Sequence, residues 1–197
     1  MSLPPIILAS ASPRRLALLR QMGLQCRVMP SEVEEVHEAT FPAPEIARIN
    51  AQRKAVSVAN QFPDDLIIGA DTLVYLEGKL YGKPRDWTDA ERMLRELEGR
   101  THQVVTAVCL VHQGAARQNL FAEISQVTFK PLTAEAIRSY LSSINPLDKA
   151  GAYAIQENGE KLVERVSGSL SNVVGLPVER LQTELSAWEQ WPRENRL

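Results

Sequence analysis

Cysteine is scarce in this sequence: Cys26 and Cys109 are the two thiols among 197 residues, and each lies in an apolar, strand-like segment. Number and spacing exclude a disulfide framework or a cysteine metal site, so both read as free buried thiols. Basic excess is missing too. The formal net charge is −2, which argues against a non-specific grip on nucleic acid and leaves any bound anion to local cations. No apolar run approaches the length of a membrane span. The opening "MSLPPIILAS" lacks a basic n-region, and its apolar stretch is too short for a signal peptide, so a cytoplasmic protein is expected. The three histidines, His37, His102 and His112, have no metal-ligand spacing, and no Ser-His-Asp or Cys-His arrangement stands out. Neither G-x-G-x-x-G after the first apolar run nor a Walker A sequence is present. A doubly wound dinucleotide domain is thereby excluded, and phosphate, if it is the ligand, must be held another way.

What is present suits a packed core: 44% of residues are hydrophobic and 23% charged. Without repeats, linkers or low-complexity tracts, residues 1–197 read as one domain, or one domain built of two lobes around a cleft. Strands and helices alternate. "PIILA" reads as a strand, "PRRLALLRQM" as a helix closed by Gly23, and "QCRVM" as a second strand. "APEIARINAQRKAVSVANQF" has apolar residues at helical spacing. "DLIIGADTLVYLEGKLYGKP" reads as two strand-like runs with a break at "GAD" and a turn near Gly78. "TDAERMLRELEG" carries a capping-box signature at Thr88 and Glu91. Two long strands, "HQVVTAVCLVHQG" and "QNLFAEISQVTFKPL", meet at Gly114, and a helix starts at Thr133. A strand in "EKLVERVSG" and a closing helix in "PVERLQTELSAWE" complete an α/β pattern around a mixed sheet.

Five stretches could carry chemistry. In "SASPRR", Ser12 suits an N-cap and Pro13 the first helical position, yet Arg14 and Arg15 follow where acidic side chains are preferred. Converging amides, guanidinium groups and the Ser10 hydroxyl would make an anion site; the alternative is two solvated or surface-paired arginines. In "LIIGADT", a buried apolar run delivers Asp71 past small residues that let another group approach. A carboxylate there is a natural general base or metal ligand, or else caps a turn with Thr72. The acids of "SEVEEVHE" suit Mg²⁺ or Mn²⁺, although an acidic run is more often a solvated face. "GKP" offers Lys83 as a point charge for phosphate, and "DKAGAYAIQ" sets Asp148, Lys149 and Gln156 in a tight loop. "GSLSNVVGLP" reads as a turn that either supports a pocket wall or merely reverses the chain.

Taken in order, "SASPRR", "VEE", "RKA", "GADT", "GKP", "DKAGAY" and "SNVVGLP" resemble the Maf family of nucleoside triphosphate pyrophosphatases, over nearly the whole chain. Within that family they look like the branch acting on dTTP and UTP. The 7-methyl-GTP branch carries "SPWRR", "GSDQ" and "HCAGSF" where this chain has "SPRR", "GADT" and "DKAGAY". The resemblance implies a Maf/ITPase-like fold: a mixed twisted sheet flanked by helices, with a nucleotide-binding cleft. It implies hydrolysis between the α- and β-phosphates, with Asp71 as general base and Glu35, together with Asp71, holding a divalent cation (Mg²⁺ or Mn²⁺). Arg14, Arg15, Lys54 and Lys83 would bind the phosphates with Ser10 close by, and Thr72 and Gln156 would choose the base, beside the tight loop of Asp148. It also implies a homodimer. A nucleotide-binding regulator of septum formation is the alternative function the family suggests.

Overall fold

The run "PIILA" forms a fully buried strand, β1 (Ile6–Leu8), at the centre of the parallel part of a seven-stranded mixed sheet. The computed structural model describes residues 3–36 and 41–189; His37 lies outside the described residues. β1 pairs in parallel with β2 (Cys26–Val28) and with β3 (Leu66–Leu76). From β3 onward the pairing is antiparallel, through β5 (Thr101–His112), β6 (Arg117–Phe129) and β7 (Val163–Ser167). The order is β2-β1-β3-β5-β6-β7, and β4 (Lys79–Tyr81) forms a hairpin on the far half of β3. Cys109 is buried in β5, whereas Cys26 is only half-buried because β2 is an edge strand.

Helices are α1 (Pro13–Gln21), α2 (Ala43–Ala59), α3 (Trp87–Leu97), α4 (Ala134–Ser142), α5 (Leu170–Val174) and α6 (Val178–Glu189). Side chains alternate along β3, and the alternation assigns its neighbours. Ile67 and Leu73 face α2, packing with Ile46, Ala51 and Ala55. Leu66, Ile68 and Ala70 point the other way, into a cluster with Leu18 and Leu19 of α1 and Leu181 and Leu185 of α6. Val74 and Leu76, farther along that second face, join Met93 and Leu97 of α3 and Ile137, Tyr140 and Leu141 of α4. The second face of β3 therefore passes from one apolar cluster to another, and Thr72 lies between them.

Three sequence expectations change. No break occurs at "GAD": β3 runs unbroken from Leu66 to Leu76. Gly69 is there for space, because a Cβ on it would lie 2.5 Å from the Ala51 carbonyl oxygen of α2. The N-cap of α3 is Asp86, whose side chain accepts from the Asp89 amide; Thr88 is already inside the helix. The stretch "GSLSNVVGLP" is no mere turn but contains α5, capped by the Ser169 hydroxyl on the Asn172 amide.

Candidate active site

The helix start in "SASPRR" forms as its residues dictate. Ser12 caps α1 through its hydroxyl and Pro13 occupies the first turn, with no acidic residue there. The two arginines then take different directions. Arg15 turns inward: its guanidinium donates to the Gly175 carbonyl (2.9 Å), the Ser10 hydroxyl (3.0 Å) and the Thr72 hydroxyl (2.9 Å). It thus ties the end of β1 and the start of α1 to β3 and to the C-terminal cap of α5. Burial lowers its pKa from the ordinary value and Arg14 adds to the effect, while Asp71 and Glu35 oppose it. A guanidinium nevertheless remains charged. Arg14 instead faces the cleft, with its guanidinium 3.7 Å from Asp148 and 4.0 Å from Glu157.

Asp71 and Thr72, adjacent in β3, lie on opposite faces of the strand. Thr72 meets Thr106 directly across the ladder, hydroxyl to hydroxyl at 3.0 Å, and Thr106 donates onward to the Asn172 carbonyl of α5. Asp71 points to α2 and is only 3% exposed. Such burial of a carboxylate is tolerable only with partners, and α2 supplies them from one face. Lys54 donates to Asp71 Oδ1 at 2.7 Å, and Asn50, one turn earlier, donates to Asp71 Oδ2 at 3.1 Å. The same Lys54 ammonium also donates to Glu35 Oε1 at 2.6 Å, so one cation bridges two carboxylates.

Arg14, Arg15, Glu35, Lys54, Asp71 and Thr72 line a cavity of about 330 Å³, which also reaches Ser10, Lys83, Asp148, Lys149 and Gln156. Lys83 and Gln156 are exposed on its wall. Lys149 is buried and donates to Asp148 Oδ1 (2.8 Å) and the Asn145 carbonyl (2.8 Å), and lies 3.2 Å from Glu157. Burial alone would raise the Asp148 pKa; the Lys149 hydrogen bond and the charges of Lys149 and Arg14 outweigh it and hold it below its ordinary value. Every sequence-selected residue, from Ser10 and the Arg pair to Gln156, borders this one cavity.

Sequence reasoning missed Asn50, Thr106 and Glu157. The first two left a signal. Asn50 interrupts an otherwise apolar helical stripe of Ala43, Ile46, Ala47 and Ala51, and Thr106 interrupts the buried run of β5. A polar residue on a buried stripe needs a partner.

The family model for Maf-like protein matches residues 5–188. The chain belongs to the Maf-like protein family. The matched span contains every cavity-lining residue named above. Relatives are similar over almost their full length. The dTTP/UTP pyrophosphatase of Akkermansia muciniphila is 47% identical over 176 residues, 89% of this chain and 92% of that one. Proteins of the same name from Carboxydothermus hydrogenoformans (45% identity; 93% of this chain, 98% of the other) and Phocaeicola vulgatus (48%; 91% and 94%) are equally similar. As in the expected Maf-like arrangement, a mixed open sheet carries helices on both faces. Among the described residues, no helix is long and apolar enough to cross a membrane.

Proposed function

We propose that this chain hydrolyses dTTP and UTP, and modified pyrimidine triphosphates of the same shape, to the nucleoside monophosphate and pyrophosphate. The observation that carries the reading is the Glu35–Lys54–Asp71 triplet in a cavity whose walls bear Arg14, Lys83 and Lys149. Phosphoryl transfer is accelerated mainly by positioning and charge neutralisation, and this wall supplies both. In the proposed step, water oxygen attacks the α-phosphorus and Asp71 takes its proton. The bond to the bridging oxygen breaks, and pyrophosphate leaves with its charge met by the arginine and lysines.

The donor set fits a hard divalent cation. Glu35 and Asp71 oxygens already converge on one positive centre at 2.6 and 2.7 Å. Among the described residues no three His, Cys, Asp or Glu side chains gather, so Mg²⁺ or Mn²⁺ would be held by these two carboxylates together with water and substrate oxygens. When bound, such a cation would neutralise phosphate charge and acidify a water. Lys54, released from the carboxylates, is then available to the phosphates.

A pyrophosphate-release assay over a nucleotide panel with Mg²⁺ or Mn²⁺ tests the proposal. Turnover should favour dTTP and UTP, and Asp71→Asn should abolish it while leaving nucleotide binding largely intact. Folded protein that turns over no triphosphate would refute the activity. Near-normal activity of Asp71→Asn would move the base role to another acid. A regulator that only binds nucleotide is the weaker reading, since binding an anion gains nothing from two carboxylates on the cavity wall.

A further inference from the structure

Asn50 is 1% exposed, and its amide is bound on both sides. Its Oδ1 accepts from the Val36 amide at 2.8 Å, while its Nδ2 donates to the Val36 carbonyl at 3.0 Å and to Asp71 Oδ2 at 3.1 Å. The network fixes which end is oxygen. Reversing the amide would set NH₂ against the Val36 N–H, and oxygen against both a carbonyl and a carboxylate.

One side chain therefore grips both the backbone of the residue after Glu35 and the second oxygen of Asp71. Lys54, one helical turn on, grips Glu35 and the first oxygen of Asp71. The two carboxylates arrive from a loop and a strand. Lys54 can be drawn away by phosphate, because it is a flexible point charge. Asn50 is short, buried and without net charge, so a triphosphate has far less pull on it than on the Lys54 ammonium.

We propose that Asn50 is the positioning residue that keeps Glu35 and Asp71 at working separation once Lys54 has left them. The proposal rests on the metal-assisted reading above, with Asp71 and Glu35 as the acid pair. Asn50 touches neither substrate nor cation in this account. It acts through Asp71 and through the Val36 backbone, and a partner that orients a metal-binding carboxylate is worth about 10–100-fold in affinity or activity.

Two measurements test it on the full chain. Mn²⁺ binding to the nucleotide-free protein, followed by the loss of the free-ion paramagnetic resonance signal, should weaken about 10-fold or more in Asn50→Leu. With dTTP as substrate, kcat should fall by a similar factor while KM stays within about threefold, because the phosphate-binding cations are untouched. A cycle with Glu35→Gln separates positioning from general damage. Once Glu35 can no longer hold Mn²⁺ as a carboxylate, adding Asn50→Leu should cost far less than it does alone. Asn50→Ala keeps the helix and adds no bulk, and it decides the matter if the leucine variant does not fold.

Mn²⁺ affinity and kcat within threefold of the parent in a folded variant would overturn the proposal. So would losses that simply multiply in the double variant, or a loss confined to KM. Failure of the parent to release pyrophosphate would instead strike the activity itself, leaving the Mn²⁺ measurements to judge Asn50.

Discussion

Adding one methyl group at Gly69 should cripple both stability and turnover. A Cβ there would lie 2.5 Å from the Ala51 carbonyl oxygen, 2.7 Å from the Ala55 amide nitrogen and 2.8 Å from the Ala55 Cβ. None of these atoms can rotate aside, since all belong to the backbone or first carbon of α2. To restore an ordinary contact near 3.4 Å, the helix must recede from β3 by about 0.9 Å. The same recession stretches the Lys54–Asp71 and Asn50–Asp71 contacts towards ~3.6 and ~4.0 Å, past hydrogen-bonding range.

Overpacking of this kind costs about 1–3 kcal/mol. Weakening two charge-assisted bonds to a buried carboxylate adds about 1–2 kcal/mol. At about 2–4 °C per kcal/mol for a chain of this size, Tm should fall by roughly 4–20 °C. Differential scanning calorimetry of Gly69→Ala measures the first effect, and pyrophosphate release at a temperature where the variant is folded measures the second, an expected loss of 10-fold or more. Gly82→Ala is the stability control, because a Cβ there meets nothing within 4 Å and the backbone is not left-handed. A Tm for Gly69→Ala within 2 °C of the parent would refute the close approach of α2, and with it the reason for a glycine at this place.

The neighbouring arginines should separate experimentally. Arg14→Ala should raise KM for nucleotide with little change in Tm, because its ion pairs at 3.7 and 4.0 Å contribute little to stability. Arg15→Ala should lower Tm by about 6–12 °C, since three part-buried acceptors lose a charged donor; equal Tm values for the two variants would contradict the assignment. Burial pushes the His102 imidazole down to about 4 from 6.5, so the unfolded chain binds its proton first as pH falls. Its contribution, up to about 3 kcal/mol, is complete above pH 6.5 and lost between 6.5 and 4; His102→Gln should remove that slope from urea unfolding, and parallel curves would refute it. Chelating divalent metal should abolish turnover, read by pyrophosphate release, and undiminished turnover would count against the two-carboxylate cation site.

Much of this fold and site is legible in the sequence, and the illegible part has a physical pattern. Short, nearly continuous apolar runs mark the strands. The acid at the end of "LIIGAD" stood out because burying a carboxylate is costly whatever surrounds it. The role of Gly69 was half visible: a small residue admits a neighbour or breaks a strand, and the letter G is the same for both. Only the position of α2 decides, and α2 lies against it. The arginines show the same limit. "SASPRR" announces two cations at a helix start, but which one turns inward depends on Ser10, Thr72 and Gly175 meeting there. Asn50 was legible as an oddity on an apolar stripe and illegible as a clamp, because its partners lie 14 and 21 residues away in sequence.

The electrostatics of the cavity explain why carboxylates sit in an anion site at all. Arg14, Arg15, Lys54, Lys83 and Lys149 line it, and Glu35, Asp71, Asp148 and Glu157 meet three of those cations at 2.6 to 4.0 Å. Without ligand, the positive groups are nearly balanced, which keeps buried Lys54 and Lys149 from standing uncompensated. A triphosphate of roughly four negative charges cannot be balanced by the single surplus cation that remains. A divalent ion held by Glu35 and Asp71, as proposed above, would change the sum in two ways, by adding its own charge and by freeing Lys54 from both acids. On the proposed reading the carboxylates would hold the lysine in place until substrate and metal arrive together, and the neutral Asn50 would remain to hold the carboxylates.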